Sequence, residues 1–293
     1  MSSKEQIIEV ESLPVDIQTG ATYAIKQANP NSYTHGMFKY PCKFIPEIPR
    51  WGIKTYLSEK RGVIFDPFSG SGTTLLEANV NGLDAYGTEI DDIAKLIIKV
   101  KTTVLNLAQM KLLDQCYPEI INIIGQDDVK LFTPAIVNLE HWFSENTINE
   151  LGRIKAYIDN IEDEDVRDFF KLCMASIIKK VSNADDTSPK PYVSNKIIKV
   201  PPTVEKEFTS VFRRYKQMMQ ELTHVKKMGN TVIIQGDALE FSVPLGIDLA
   251  ITSPPYINAF DYGRTMRLEN LWLDTLTEEM LRKKKSQYVG TEK

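Results

Sequence analysis

The chain is poor in the residues that build covalent staples and metal centres. Its 293 residues hold three cysteines, Cys42, Cys116 and Cys173, far apart and without Cys-x-x-Cys spacing. That excludes a disulfide framework and a thiolate zinc site, so reduced thiols and no metal are expected. No apolar run approaches the roughly 18 residues of a membrane span. The start, Met-Ser-Ser-Lys-Glu-Gln, lacks the basic and apolar segments of an export signal, and a cytoplasmic protein without a membrane partner is expected. The chain also lacks an overall basic charge, with a net charge of −4. Phosphate binding needs only a local patch, however. Between Lys179 and Lys227 there are eleven Lys/Arg against five Asp/Glu, an excess of +6, and Arg282-Lys283-Lys284-Lys285 adds a second basic run. A solvated helix face accounts for any single one of these lysines equally well. Hydrophobic content of 42% with 25% charged residues is that of a globular chain with one large or two small domains.

What is present is the stretch Phe65-Asp66-Pro67-Phe68-Ser69-Gly70-Ser71-Gly72-Thr73-Thr74. The run Gly62-Val63-Ile64-Phe65 is short, apolar and β-branched, the pattern of a buried strand, and Thr73 to Ala78 begins a helix. Two glycines between them let the backbone approach a ligand closely, and the helix start offers unpaired N–H donors, so a nucleotide-like ligand is expected. No Lys-Ser/Thr pair follows the glycines, which excludes a P-loop, and the spacing is not Gly-x-Gly-x-x-Gly. Asp84-Ala85-Tyr86-Gly87-Thr88-Glu89-Ile90 reads as a second strand. Glu89 lies 23 residues past Asp66, close to the roughly 20 expected of an acidic residue that accepts from a ribose. Asp91 and Asp92 are further candidates, although an acidic pair also suits the start of the next helix. Far downstream, Thr252-Ser253-Pro254-Pro255-Tyr256 follows the apolar run 247–251 and so falls at the carboxyl end of a strand, where open α/β sheets bind ligands.

The first stretch resembles, at every fixed position, the motif Asp-Pro-Phe-x-Gly-Ser-Gly-Thr-Thr of S-adenosylmethionine-dependent DNA amino-methyltransferases. Thr252-Ser253-Pro254-Pro255-Tyr256 resembles their catalytic motif. The resemblance covers residues 34–102 and 231–275, and weakly Trp142-Phe143 and Ser182-Asn183-Ala184. It implies a Rossmann-like class I methyltransferase sheet of the α/β class, with S-adenosylmethionine as cofactor. The cofactor would be held by Tyr40, Lys43 and Phe44 ahead of the turn, and by Asp66, Pro67, Phe68, Gly70, Gly72, Thr73 and Thr74 within it. Glu89 and Ile90, then Asp237 and Ala238 after the strand Thr231 to Ile234, and finally Thr252, would complete the site. Asp237 would accept from the adenine amino group, on a strand expected to lie beside the one before Ser253. Ser253, Pro254, Pro255 and Tyr256 would be catalytic, on double-stranded DNA with a flipped target base. Pro41-Cys42 is similar to the nucleophile pair of cytosine-C5 methyltransferases, but there the pair follows the cofactor motif and here it precedes it.

The expected organisation is an N-terminal arm over residues 1–30 with one short element. A catalytic domain follows from 31–104 and 229–293, with a helical insertion over 105–228. In the insertion, Thr147-Ile148-Asn149-Glu150 reads as a capping box before a face of Ile148, Leu151, Ile154 and Ile158. Val166, Phe169, Phe170, Cys173, Ile177 and Val181 mark a second helix, and Phe208, Val211, Phe212, Tyr215, Met219 and Leu222 a third. The proline-broken loop 182–194, flanked by Lys179, Lys180, Lys196 and Lys199, is the candidate for touching DNA. A helix from Asp261 through Leu276 and a basic tail close the chain.

Exocyclic amino groups are poor nucleophiles because the lone pair is delocalised into the ring. If Ser253 Oγ and the Pro254 carbonyl accept the amino hydrogens, density is held on nitrogen and positioning supplies much of the remaining rate; Tyr256 is placed to stack on the flipped base. Serine before Pro254 leans toward cytosine N4 over adenine N6. An RNA methyltransferase and a non-catalytic binding subunit stay open as alternatives. Four strands are accounted for, ending at Asp66, Glu89, Asp237 and Ser253, whereas the family's sheet has seven. Tyr192 to Val200, the best further strand candidate, is isolated. The expectation is therefore a truncated chain or one half of a split enzyme, inactive alone or self-associating through the open sheet edge.

Overall fold

The computed structural model describes residues 7–26, 29–43, 45–57, 62–126, 131–196, 198–234, 238–242, 246–254 and 262–285. Its centre is a parallel sheet built from β3 (Val63–Asp66), β4 (Asp84–Thr88), β5 (Thr231–Ile234) and β6 (Leu249–Ala250), in the spatial order β5-β4-β3-β6. Before it come β1 (Ile7–Val10), β2 (Thr22–Ile25) and the helix α1 (Glu47–Tyr56). The strand carrying Asp66 is central, flanked by the strand that leads to Glu89 and by the one that leads to Ser253. All three therefore deliver their carboxyl ends to one edge, as parallel pairing requires. The expectation that the Asp237 strand neighbours the Ser253 strand is corrected: β5 pairs with β4, β6 pairs with β3, and the two lie on opposite sides of the sheet.

The helices α2 (Thr73–Val80) and α3 (Asp92–Thr102) follow β3 and β4. Ile64, Leu75, Ala78, Ala85 and Ile98 form the core between the sheet and these helices, with Ile53 of α1. Ile93, Ile97 and Val100 of the same α3 belong to a second, larger core. A helix buried on two sides must be apolar around most of its circumference, and α3 is. The larger core joins α3 to α4 (Leu107–Ile124), α6 (Glu145–Asp159), α7 (Glu164–Val181) and α8 (Val204–Thr223), with the short α5 (Leu139–Trp142) between α4 and α6. The stripes read from the sequence on α6, α7 and α8 fall in it except for Leu222, with Ile148 packed against it partly buried, and Phe170 stacks on Phe212 at 5.8 Å between ring centroids.

Several local expectations change. The N-terminal arm carries two short strands rather than one element, β1 and β2, paired in parallel and tied down where Trp51 Nε1 donates to the Pro14 carbonyl at 2.7 Å. The cap of α6 is Ser144, whose Oγ accepts from Thr147 N at 3.2 Å, so the helix starts one turn before Thr147. No strand forms in the described residues of 192–200. The expected single helix after the catalytic motif is α9 (Tyr262–Thr265) and α10 (Arg267–Trp272), and part of the basic tail is the helix α11 (Glu278–Lys285). No described helix is long and apolar enough to cross a membrane.

Candidate cofactor and methyl-transfer site

The turn after β3 is built from its own side chains. Ser69 Oγ donates to the Asp66 carbonyl at 2.8 Å, and Gly72 N donates to the Ser69 carbonyl at 2.7 Å. Thr88 Oγ1 donates to the Pro67 carbonyl at 2.5 Å, fastening the turn to β4. Gly70 and Gly72 both take positive φ, 50° and 72°. A Cβ at Gly72 would stand 2.9 Å from Ile98 Cγ1, so the position needs glycine for space as well as for conformation. Gly72 caps α2, and Thr73 and Thr74 open that helix fully buried.

Two carboxylates converge on this turn. Glu89 Oε2 accepts from Gly70 N at 2.8 Å, while its Oε1 accepts from Ile90 N at 2.8 Å and Asp91 N at 2.9 Å. Burial pushes the Glu89 carboxyl up to about 7, against the pull of these backbone donors. Asp66 is 3% exposed, and its Oδ1 accepts from Phe68 N at 3.1 Å and from Thr252 Oγ1 at 2.7 Å. Burial raises Asp66 to about 6, with the hydrogen bonds from Thr252, Phe68 and Thr74 opposing. The Asp66–Thr252 bond joins the Gly-rich turn directly to the residue before Ser253. Ser253 is half-buried and Pro254 exposed beside it.

The remaining predicted residues are distributed unevenly. Tyr40 lies over the turn, its Cε1 3.4 Å from where a Gly70 Cβ would be. Lys43 Nζ donates to the His35 carbonyl at 2.9 Å. Ala238 is described, whereas Phe44, Asp237, Pro255 and Tyr256 lie outside the described residues. Asp91 is the N-cap of α3, its side chain accepting from Ala94 N at 2.9 Å, which is the helix-start role. Burial raises the Cys42 thiol, the wrong direction for a nucleophile. Among the described residues no group of three or more His, Cys, Asp and Glu side chains is placed to hold a metal ion. A cavity of about 720 Å³ lies between the N-terminal strands, α1 and α2, and no predicted site residue lines it.

Sequence reasoning missed the group that braces the turn from behind. His35 and Glu77 are both buried, with His35 Nε2 2.9 Å from Glu77 Oε1. A carboxylate only accepts, so that ring nitrogen carries the hydrogen. Arg50 donates to the same carboxylate through Nε at 3.0 Å and NH2 at 2.7 Å. Lys101 of α3 is fully buried and donates from Nζ to the Ser71 carbonyl at 2.6 Å. For Glu77 and Lys101 the available signal was a polar residue inside an apolar helical stretch, which reads equally as a solvent-facing position, whereas His35 lies in a turn.

The residues present fit an adenosine cofactor. Glu89 offers acceptors beside Gly70 at the carboxyl edge, and Ser71 Oγ and Thr73 Oγ1 are buried at the turn without a hydrogen-bond partner. Four parallel strands with a Gly-rich turn after the central one and an acid after its neighbour are consistent with a class I methyltransferase fold. Residues 2–100 match the family model N6_N4_Mtase, described as DNA methylase. The Type II methyltransferase M.MvaI of Kocuria varians is 28% identical over 267 residues, covering 84% of this chain and 59% of that protein. The Type II methyltransferase M.BsoBI of Geobacillus stearothermophilus is 27% identical over 276 residues, covering 84% of this chain and 54% of that protein. The chain thus spans somewhat over half the length of these two relatives. M.MjaII of Methanocaldococcus jannaschii, also a Type II methyltransferase, is 33% identical over 79 residues, 27% of this chain and 15% of that protein. The family match and the relatives support an amino-methyltransferase, a class that uses S-adenosylmethionine. No solved structure matches the chain.

Proposed function

We propose that this chain transfers a methyl group from S-adenosylmethionine to an exocyclic amino group of a DNA base, cytosine N4 in preference to adenine N6, in the cytoplasm. The observation that carries the reading is the 2.7 Å bond from Thr252 Oγ1 to Asp66, which couples the Gly-rich turn to the Thr-Ser-Pro-Pro-Tyr stretch on adjacent parallel strands. The relatives named Type II methyltransferases agree with it.

The bound cofactor supplies an electrophilic methyl group. Glu89 would accept from its ribose, Asp237 and Ala238 would face its adenine, and Tyr40, Pro67, Phe68, Thr73 and Thr74 would enclose it. Ser253 Oγ and the Pro254 carbonyl accept the two amino hydrogens of the target base and hold density on its nitrogen. Tyr256 stacks on the flipped base, which has to leave the duplex to reach this edge. Residues 31–104 and 229–293 form the catalytic unit, and the insertion 105–228 contacts DNA.

The sheet also supports a protein partner. Phe65 lies beside Tyr86 and Ala250 in register, and Tyr86 beside Val232, so these four share one face of the sheet. Phe65 is buried against Phe241, 5.0 Å between ring centroids, but Val232 is 45% exposed and Ala250 is exposed, although parallel sheets are normally covered on both faces. The outer edge of β6 pairs with no strand among the described residues. We infer that a second copy of the chain covers this face and edge.

Calorimetry with S-adenosylhomocysteine tests the cofactor half of the reading. The wild-type protein should bind and Gly70→Arg should not, because an Arg there is strained at φ 50° and its side chain fills the space under Tyr40. Unchanged affinity in a variant that melts like the wild type would put the cofactor elsewhere.

A further inference from the structure

We propose that Lys101 is a positioning residue of the cofactor site, its ammonium holding the Ser71 carbonyl so that the peptide planes of the Gly-rich turn are set for the ligand. The inference rests on the cofactor reading above and adds a residue to it.

Lys101 sits in the last turn of α3 with no exposed surface. Its Nζ donates to the Ser71 carbonyl at 2.6 Å, and its own carbonyl accepts from the buried Thr34 Oγ1 at 2.7 Å. One residue thus ties three segments together: α3, the turn, and the stretch around Thr34 that continues to Tyr40. Enclosing an ammonium is costly, and a methionine would fill the same volume without that cost. The gain is a charge-assisted bond to the carbonyl of Ser71, a turn residue whose own hydroxyl is buried and unpartnered.

The charges facing Lys101 are few. Lys43, from the segment before α1, opposes its protonation, while Glu77 of α2 favours it but already serves His35 and Arg50. His35, held down to about 4 chiefly by burial, is neutral above that pH. Burial together with Lys43 brings Lys101 itself down to about 7. The bond to Ser71 therefore weakens as pH rises through about 7, when the ammonium becomes an amine. On the acid side Glu89, at about 7, and Asp66, at about 6, lose their charge as pH falls. Affinity for the cofactor should then fall on the alkaline side as Lys101 loses its proton, and that limb is the one Lys101 sets.

The test is calorimetry of S-adenosylhomocysteine binding across pH 5.5 to 9, with thermal melts as a check on folding, for the wild type, Lys101→Met and Lys101→Arg. Lys101→Met should bind roughly tenfold more weakly near pH 6.5, the scale of one hydrogen bond to a charged group, and should lose the alkaline limb. Lys101→Arg, charged at every pH tested, should restore affinity and hold it up to pH 9. A merely structural role would lower affinity without moving the limb. Wild-type binding with an alkaline limb unchanged in both variants overturns the inference alone. Failure of the wild type to bind at any pH overturns the cofactor reading and the inference with it.

Discussion

At the scale of single residues, Glu89 is the group whose chemistry is most constrained. Its carboxylate is shared among three backbone N–H groups, yet burial raises it from 4.5 to about 7. A carboxyl raised in the folded state stabilises the fold fully below its unfolded value and loses that stabilisation as pH rises through its folded value. The wild-type protein should therefore lose stability relative to Glu89→Gln between about pH 4.5 and 7, by about 3 kcal/mol at most, since each tenfold change in proton affinity is worth about 1.4 kcal/mol. Asp66 titrates in both proteins and cancels from the difference. Urea unfolding of the pair at intervals across that window reads this directly, and a difference that stays flat would mean that Glu89 ionises normally. The same substitution should weaken S-adenosylhomocysteine binding, because an amide replaces the acceptor pair offered to a ribose. Stability and ligand affinity would then move in opposite directions above pH 7.

At the scale of elements, the strand–turn–helix unit was legible because its signals are local: an apolar β-branched run, two glycines and a helix start within a dozen residues. The same holds for α7 and α8, whose buried faces recur at helical spacing. What depended on distant partners was not legible. The position of β5 is set by pairing with β4 across more than a hundred residues, and neither strand's sequence says which neighbour it takes. The cap of α6 was misplaced by one turn because Ser144 and Thr147 are both good cap residues, and in the fold it is Ser144 Oγ that accepts from Thr147 N. The basic loop is the clearest case of chemistry hidden by structure. Lys179 donates to the Ser188 carbonyl, and Lys199 donates to the carbonyls of Lys179 and Ala184 at 3.1 and 2.9 Å and to Asp186 at 2.8 Å. Lys180 pairs with Asp186 as well. These lysines hold the loop together, so the proposed DNA contact would fall to the exposed Lys190 and Lys196. Replacing both by alanine should weaken DNA binding alike for all sequences and reduce the slope of log affinity against log salt by about 2, because roughly one counterion is released per phosphate contact. Fluorescence anisotropy at several salt concentrations measures it. An unchanged slope would move the DNA contact to another face.

At the scale of the whole molecule, two cores share α3, so the helical insertion is bonded to the sheet rather than appended to it. The opposite face of the sheet is the exception, with Val232 and Ala250 open to solvent and the β6 edge unpaired among the described residues. Multi-angle light scattering should find a self-associated species whose mass falls when Val232 is replaced by lysine, which places a charge in the apolar face. A monomer at all concentrations that still transfers methyl groups would show that this face needs no cover. The central claim, amino-methylation of DNA, is tested most directly by nucleoside mass spectrometry of DNA and RNA from cells expressing the chain, beside a Ser253→Ala control that removes one acceptor of the amino clamp. The account predicts N4-methylcytosine in the DNA of wild-type cells and its loss in the control; methylated RNA with unmodified DNA would contradict it.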